Sequence, residues 1–75
     1  MELNDFVQKF AEQFDETPIE QFNDLTDFKN LDEWSSLTAL SIIAMVDEEL
    51  EKRITGADIR SSKTIQDLFM VIQSK

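Results

Sequence analysis

Ser35 and Ser36 stand side by side, followed at once by Leu37, where an irregular acidic segment gives way to the most apolar stretch of the chain. A serine hydroxyl can attack a substrate or accept a covalently attached group, and the first of these needs a base to take its proton. The chain contains neither histidine nor cysteine. The commonest general base, the commonest metal ligand and all side-chain thiol chemistry are therefore missing together. A Ser–Lys pair would need a pocket that 75 residues can hardly enclose. Carboxylates number sixteen, and in so acidic a chain a pair of them carries no specific signal. A calcium loop of the helix–loop–helix type places acids at alternate positions and glycine at the sixth; the run from Asp24 to Asp32 has no glycine. Catalysis and dedicated calcium binding are set aside on these grounds. What is left is Ser36 as a point of attachment.

The plainest role for a serine before an apolar helix is a cap. One cap residue suffices, however, and here there are two candidates. If Ser35 caps, Ser36 falls in the first turn with its hydroxyl outward, beside backbone N–H groups that lack partners. A covalently held phosphate is best tolerated there. Ordinary phosphorylation would satisfy the same spacing.

The elements that must position this junction can be read on either side of it. Leu3, Phe6, Val7, Phe10 and Phe14 recur at three- and four-residue intervals and predict a first helix ending near Phe14 or Asp15. Thr17-Pro18-Ile19-Glu20 has the makings of a capped single turn. The stretch 15–35 reads as a long loop pinned to the core by Phe22, Leu25, Phe28 and Leu31, because Asn and Asp dominate the positions between them. The main helix is expected from Ser35 or Ser36 to about Glu51, with Leu37, Leu40, Ile43, Ala44, Met45, Val46 and Leu50 on an apolar stripe broader than one face. Ile54-Thr55-Gly56 should break it, with Gly56 free to take positive φ. A short turn comes next at 57–60 with Ile59 inward, and Thr64 and Asp67 form a capping-box variant that opens a last helix bearing Ile65, Leu68, Phe69 and Ile72. The fold class expected is all-α, a small four-helix bundle of three main helices and a short third one, occupying residues 1–75 as one domain.

Charge bounds the partners. The net charge is −9, which repels nucleic acid and favours basic proteins. Residues 1–35 hold ten acids and two bases, whereas residues 36–75 hold six and five. Asp47, Glu48, Glu49 and Glu51 crowd the carboxyl end of the main helix, where the helix dipole disfavours them by a few tenths of a kcal/mol each. A docking surface for a basic partner would account for that cost. With 41 % hydrophobic residues, order is favoured over disorder. No secretory signal opens the chain, and no run approaches the roughly 20 apolar residues of a membrane span. A cytoplasmic monomer, without membrane or nucleic-acid partners, is the expectation.

Taken in order, these features resemble the acyl carrier proteins over nearly the whole chain. The family places Asp-Ser-Leu at the head of its second helix, and Ser36-Leu37 matches the last two positions. Asp47-Glu48-Glu49-Leu50-Glu51 with an isoleucine after it, and Lys63-Thr64-Ile65-Gln66-Asp67-Leu68, are also similar to the family. The resemblance implies that Ser36 receives 4′-phosphopantetheine from coenzyme A through a phosphopantetheinyl transferase, and that the arm's thiol carries acyl groups as thioesters. It also implies partner enzymes with basic docking surfaces, met by Leu37, Asp47, Glu48 and Glu49. Phe28, Met45, Val46 and Ile54 are candidates to shelter an acyl chain, or are plain core. Ser35 stands in place of the family's Asp, and Thr38 and Ser41 fall where many fatty-acid carriers have acids. These departures tilt the expectation from fatty-acid synthesis toward a specialised polyketide, peptide or aminoacyl pathway. Glu33-Trp34 resembles the tryptophan-bearing approach of certain stand-alone carriers. It also reads as a hydrophobic plug over the helix entrance. The rival from another class is a carrier-like adaptor that is never modified and binds basic proteins through its acidic surface.

Overall fold

A computed structural model describes residues 1–75. Four α-helices and no strand make up the chain: α1 (Leu3–Ala11), α2 (Ser36–Leu50), α3 (Gly56–Ser61) and α4 (Ile65–Gln73). The expected all-α, four-helix arrangement with a short third helix is what the sequence adopts. No helix is long and apolar enough to cross a membrane.

The apolar stripe of α1 buries Phe6, Val7, Phe10 and Ala11, and α1 packs on both α4 and α2. The helix stops at Ala11, earlier than the apolar spacing suggests. Gln13 and Phe14 donate to Phe10 and Ala11 at the tighter i−3 spacing, which still delivers Phe14 to the core. The next three amides, of Asp15, Glu16 and Thr17, are claimed by the carboxylate of Glu33. That long-range acceptor replaces further helix.

Residues 12–35 are a loop with two single 3₁₀ turns, Ile19–Gln21 and Phe28–Asn30. Thr17 does not cap the first; its hydroxyl donates to Glu33, and extended Pro18 precedes the turn. Phe22 and Phe28 are buried and Leu31 is half-buried, as an anchored loop requires. Leu25, however, is 66 % exposed. It rides a polar turn in which Asn23 Oδ1 accepts from Leu25 N–H and the Thr26 hydroxyl accepts from Asn23 N–H. The carbonyls of that turn face α4, accepting from Ile65 N–H at 3.3 Å and Gln66 N–H at 2.9 Å. The loop thus satisfies two of the four amides that a helix leaves open at its start. The Thr64–Asp67 capping box satisfies a third, the Asp67 amide, along with the Thr64 amide just ahead of the helix. The Asp67 carboxyl is held below its usual range chiefly by the N–H of Thr64.

In α2 the buried positions are Ile42, Met45 and Val46, so the inward face differs from the stripe read in the sequence. Each helical residue advances about 100°, which puts Leu37 and Leu40 roughly opposite Ile42. They are 76 % and 61 % exposed, whereas Ile42 is fully buried. The helix ends at Glu51, which itself takes the left-handed conformation (φ 56°, ψ 36°). Gly56 has no positive φ; it is the first residue of α3, capped by Thr55 with Asp58 reciprocating. Ile59 points inward, as expected.

All seven aromatic rings form one connected set. Phe69 meets Phe6, and contacts pass through Phe10 to Phe28, Phe14 and Phe22, ending on Trp34. The core of the bundle therefore reaches to within one residue of Ser35.

Candidate functional site at the head of the second helix

The approach to α2 is fixed by a knot of polar contacts. Ser35 is extended (φ −155°, ψ 176°) and its Oγ accepts from Thr38 N–H at 3.3 Å. Thr38 Oγ1 donates to the carbonyl of Glu33 at 3.1 Å and lies 3.2 Å from Ser35 Oγ. With the Thr38 proton directed at Glu33, Ser35 is left to donate across that last contact. Thr38 therefore ties the first turn of α2 back to the approach segment, with a donor that a carboxylate at this position would lack.

Two residues before Ser35, Glu33 locks the same segment to the end of α1. Its carboxylate accepts from the N–H groups of Asp15 (2.7 Å), Glu16 (3.0 Å) and Thr17 (2.9 Å) and from the Thr17 hydroxyl (2.7 Å). The Thr17 hydroxyl, ahead of the three amides, holds its carboxyl below the ordinary range against an opposing effect of burial. Trp34 packs edge-on to Phe28 at 5.0 Å and stacks on Phe14 at 6.4 Å. The plug expected of Trp34 is thus seated on two phenylalanines.

Held this way, Ser36 is the first residue of α2 and is exposed. Its hydroxyl bonds to no other group, and neither its own N–H nor that of Leu37 has a partner in the protein. Beside it lies an open groove of about 420 Å³ lined by Lys29, Trp34, Ser35, Ser36, Ala39, Gly56, Ile59 and Arg60. An attached phosphodiester arm fits these residues: a free hydroxyl, two unpaired amides, a partly apolar wall and two cations. Lys29 Nζ donates to the carbonyl of Arg60 at 2.9 Å and sits 5.9 Å from the Phe28 ring centre. Composition and periodicity give no reason to single out Lys29 and Arg60. They lie 31 residues apart, and only the return of α3 past the loop brings them together.

The expected partner residues divide into two groups. Ser36, Leu37, Leu40, Ala44, Asp47 and Glu48 share the outward face of α2, hydroxyl and apolar at the amino end and acidic at the other. Glu49 is partly committed elsewhere, since it pairs with Lys9 of α1 at 3.3 Å. Phe28, Met45, Val46 and Ile54 all belong to the buried core.

No family model matches the chain, and no curated protein or solved structure matches it either. The functional assignment rests on the residues themselves.

Proposed function

We propose that the chain is an acyl carrier protein, modified at Ser36 with 4′-phosphopantetheine. The observation that carries this reading is the exposed, unbonded Ser36 hydroxyl, offered at the first turn of a helix whose cap is already supplied by Ser35. In the transfer, Ser36 Oγ attacks the phosphorus that bears pantetheine in coenzyme A. The pyrophosphate P–O bond breaks, adenosine 3′,5′-bisphosphate leaves, and the serine proton passes to a base of the transferase. This explains why a chain without histidine needs none. When bound, the arm supplies the thiol that carries acyl groups. The chain itself contributes a rigid mount, through Glu33, Ser35 and Thr38, and a recognition face on α2. Leu37 and Leu40, exposed beside Ser36, suit an apolar contact with partner enzymes. Asp47 and Glu48 suit basic side chains two to three turns away, with salt-sensitive encounter rates. The scarcity of acids in the first three turns of α2 favours partners other than those that read an acidic helix along its length, and so a specialised pathway.

The deciding experiment is intact mass after incubation with coenzyme A, magnesium and a promiscuous phosphopantetheinyl transferase. One phosphopantetheine should add to the wild type and to Ser35→Ala, and none to Ser36→Ala. Absence of any addition to folded wild type, with a control carrier modified in the same tube, would sink the carrier reading and favour the acidic adaptor.

A further inference from the structure

We infer that Lys29 and Arg60 form a clamp for the phosphodiester carried on Ser36, holding the base of the arm in the groove between α2 and α3. This rests on the carrier reading above and adds to it a binding site with named ligand chemistry, an anionic phosphodiester joined to a flexible amide chain.

Acids outnumber bases by sixteen to seven, yet most cations on this surface pair with no carboxylate. Only Lys9 and Lys75 find one, in Glu49 and Asp58. Lys29, Lys52, Arg53, Arg60 and Lys63 have none, and of these five only Lys29 and Arg60 line the groove that contains Ser36. Neither is an idle surface charge. Lys29 is tied to the carbonyl of Arg60 at 2.9 Å and lies over Phe28. One of its three protons is used in that bond, which leaves two to donate to a ligand. The Arg60 guanidinium folds back over the start of α3, where its Nη1 would lie 3.2 Å from a Cβ placed on Gly56. Glycine at 56 leaves that position open, where a side chain would press on the guanidinium.

The remainder of the groove suits the part of the arm beyond the phosphate. Trp34, Ala39 and Ile59 give an apolar floor, on which the methyl groups next to the phosphodiester can rest while the more distant amides stay in water. A phosphate on Ser36 also meets the unpaired N–H groups of Ser36 and Leu37 at its root. A phosphodiester at this root takes the chain from −9 to −10, and the two cations offset that charge locally. The clamp restrains the arm at its base and leaves the thiol end free to travel.

The test compares apo and holo protein, the latter made with coenzyme A and the transferase, for wild type, Lys29→Gln/Arg60→Gln and the charge-retaining Arg60→Lys. In wild type, arm attachment should perturb the amide resonances of Gly56, Ile59 and Arg60 as well as those near Ser36. The ³¹P resonance should move on going to about 1 M salt, where the screening length is about 3 Å. In the double variant both the distant amide perturbations and the salt response should be lost, and in Arg60→Lys they should be retained. All three substitutions are at the surface, and circular dichroism should leave the helical signal unchanged. If attachment to wild type perturbs only residues around Ser36, and its ³¹P resonance matches the double variant at every salt concentration, the clamp is wrong while the carrier stands. If Ser36 accepts no arm at all, the carrier reading fails and the clamp with it.

Discussion

The two ends of α2 are built on opposite terms. At the amino end every strain is relieved: Ser35 supplies the cap, Thr38 ties back to Glu33, and Glu33 anchors the approach to the end of α1. The only groups left unanswered there are the Ser36 hydroxyl and two amides, and uncompensated cations stand nearby. At the carboxyl end the helix stops on a glutamate in the left-handed conformation, and acids gather where the dipole disfavours them. The first end is rigid and receptive to an anion. The second sacrifices local stability and displays negative charge. Open amides are common to helix starts, as at Leu3, Asn4 and Asp5 of α1; what sets α2 apart is the exposed, unbonded Ser36 hydroxyl at one end and the crowded acids at the other.

Support for the amino end comes from the aromatic set, and the largest effect expected is there. Phe28 is fully buried, meets Phe10 at 5.1 Å and Trp34 at 5.0 Å, and carries Lys29 on its ring. Phe28→Ala should cost about 3–5 kcal/mol, the usual range for a core phenylalanine. Against a total near 5–15 kcal/mol, and less for so small a domain, such a loss leaves little native protein. Urea unfolding monitored by the single tryptophan, Trp34, reads it directly. A cost under about 1 kcal/mol would mean that the loop is not the support of Ser36 that its packing indicates.

The next contrast separates neighbours. Ser35→Ala removes a cap that bonds Thr38 N–H and should cost about 1 kcal/mol, while leaving attachment at Ser36 intact. Ser36→Ala removes no hydrogen bond, since the hydroxyl makes none. Its stability should match wild type within about 0.5 kcal/mol, with attachment abolished. Chemical denaturation beside intact mass gives both readouts. A destabilised Ser36→Ala would return that serine to an ordinary structural role.

Most of the architecture is legible in the residues, and the failures share a cause. Capping chemistry is local, so Ser35, Thr55–Asp58 and Thr64–Asp67 either announce themselves or can be found by their three-residue spacing. The phenylalanine stripe of α1 is equally plain. The inward face of α2 is not, because apolar residues surround the helix almost completely and no periodicity singles out Ile42, Met45 and Val46. Leu37 and Leu40 join the apolar stripe for that reason, although the structure turns both outward. In the loop, a three-residue recurrence puts Leu25 with the anchors, although the Asn23–Thr26 turn directs it to solvent. The Glu33 latch and the Lys29–Arg60 pair join residues far apart in sequence, for which local pattern has no signal. Position 36, by contrast, is identifiable as the attachment candidate, because it depends on a cap and a neighbour.

The carboxyl end offers a small change with the opposite sign. Glu51 holds φ 56° and ψ 36°, a conformation that crowds Cβ against the next carbonyl and that helices usually assign to glycine. Glu51→Gly removes the crowding and one of the acids nearest the negative pole, while the unfolded chain gains some freedom. The relief should prevail, so the variant should be more stable by about 0.5–1 kcal/mol. If this end is tuned for a partner, that gain should come with slower association with basic partner enzymes at low salt, and the difference should fade as salt is added. A stabilised variant that docks at an unchanged rate would reduce the carboxyl end to an unoptimised helix stop, leaving the outward face of α2 to depend on Leu37, Leu40, Asp47 and Glu48.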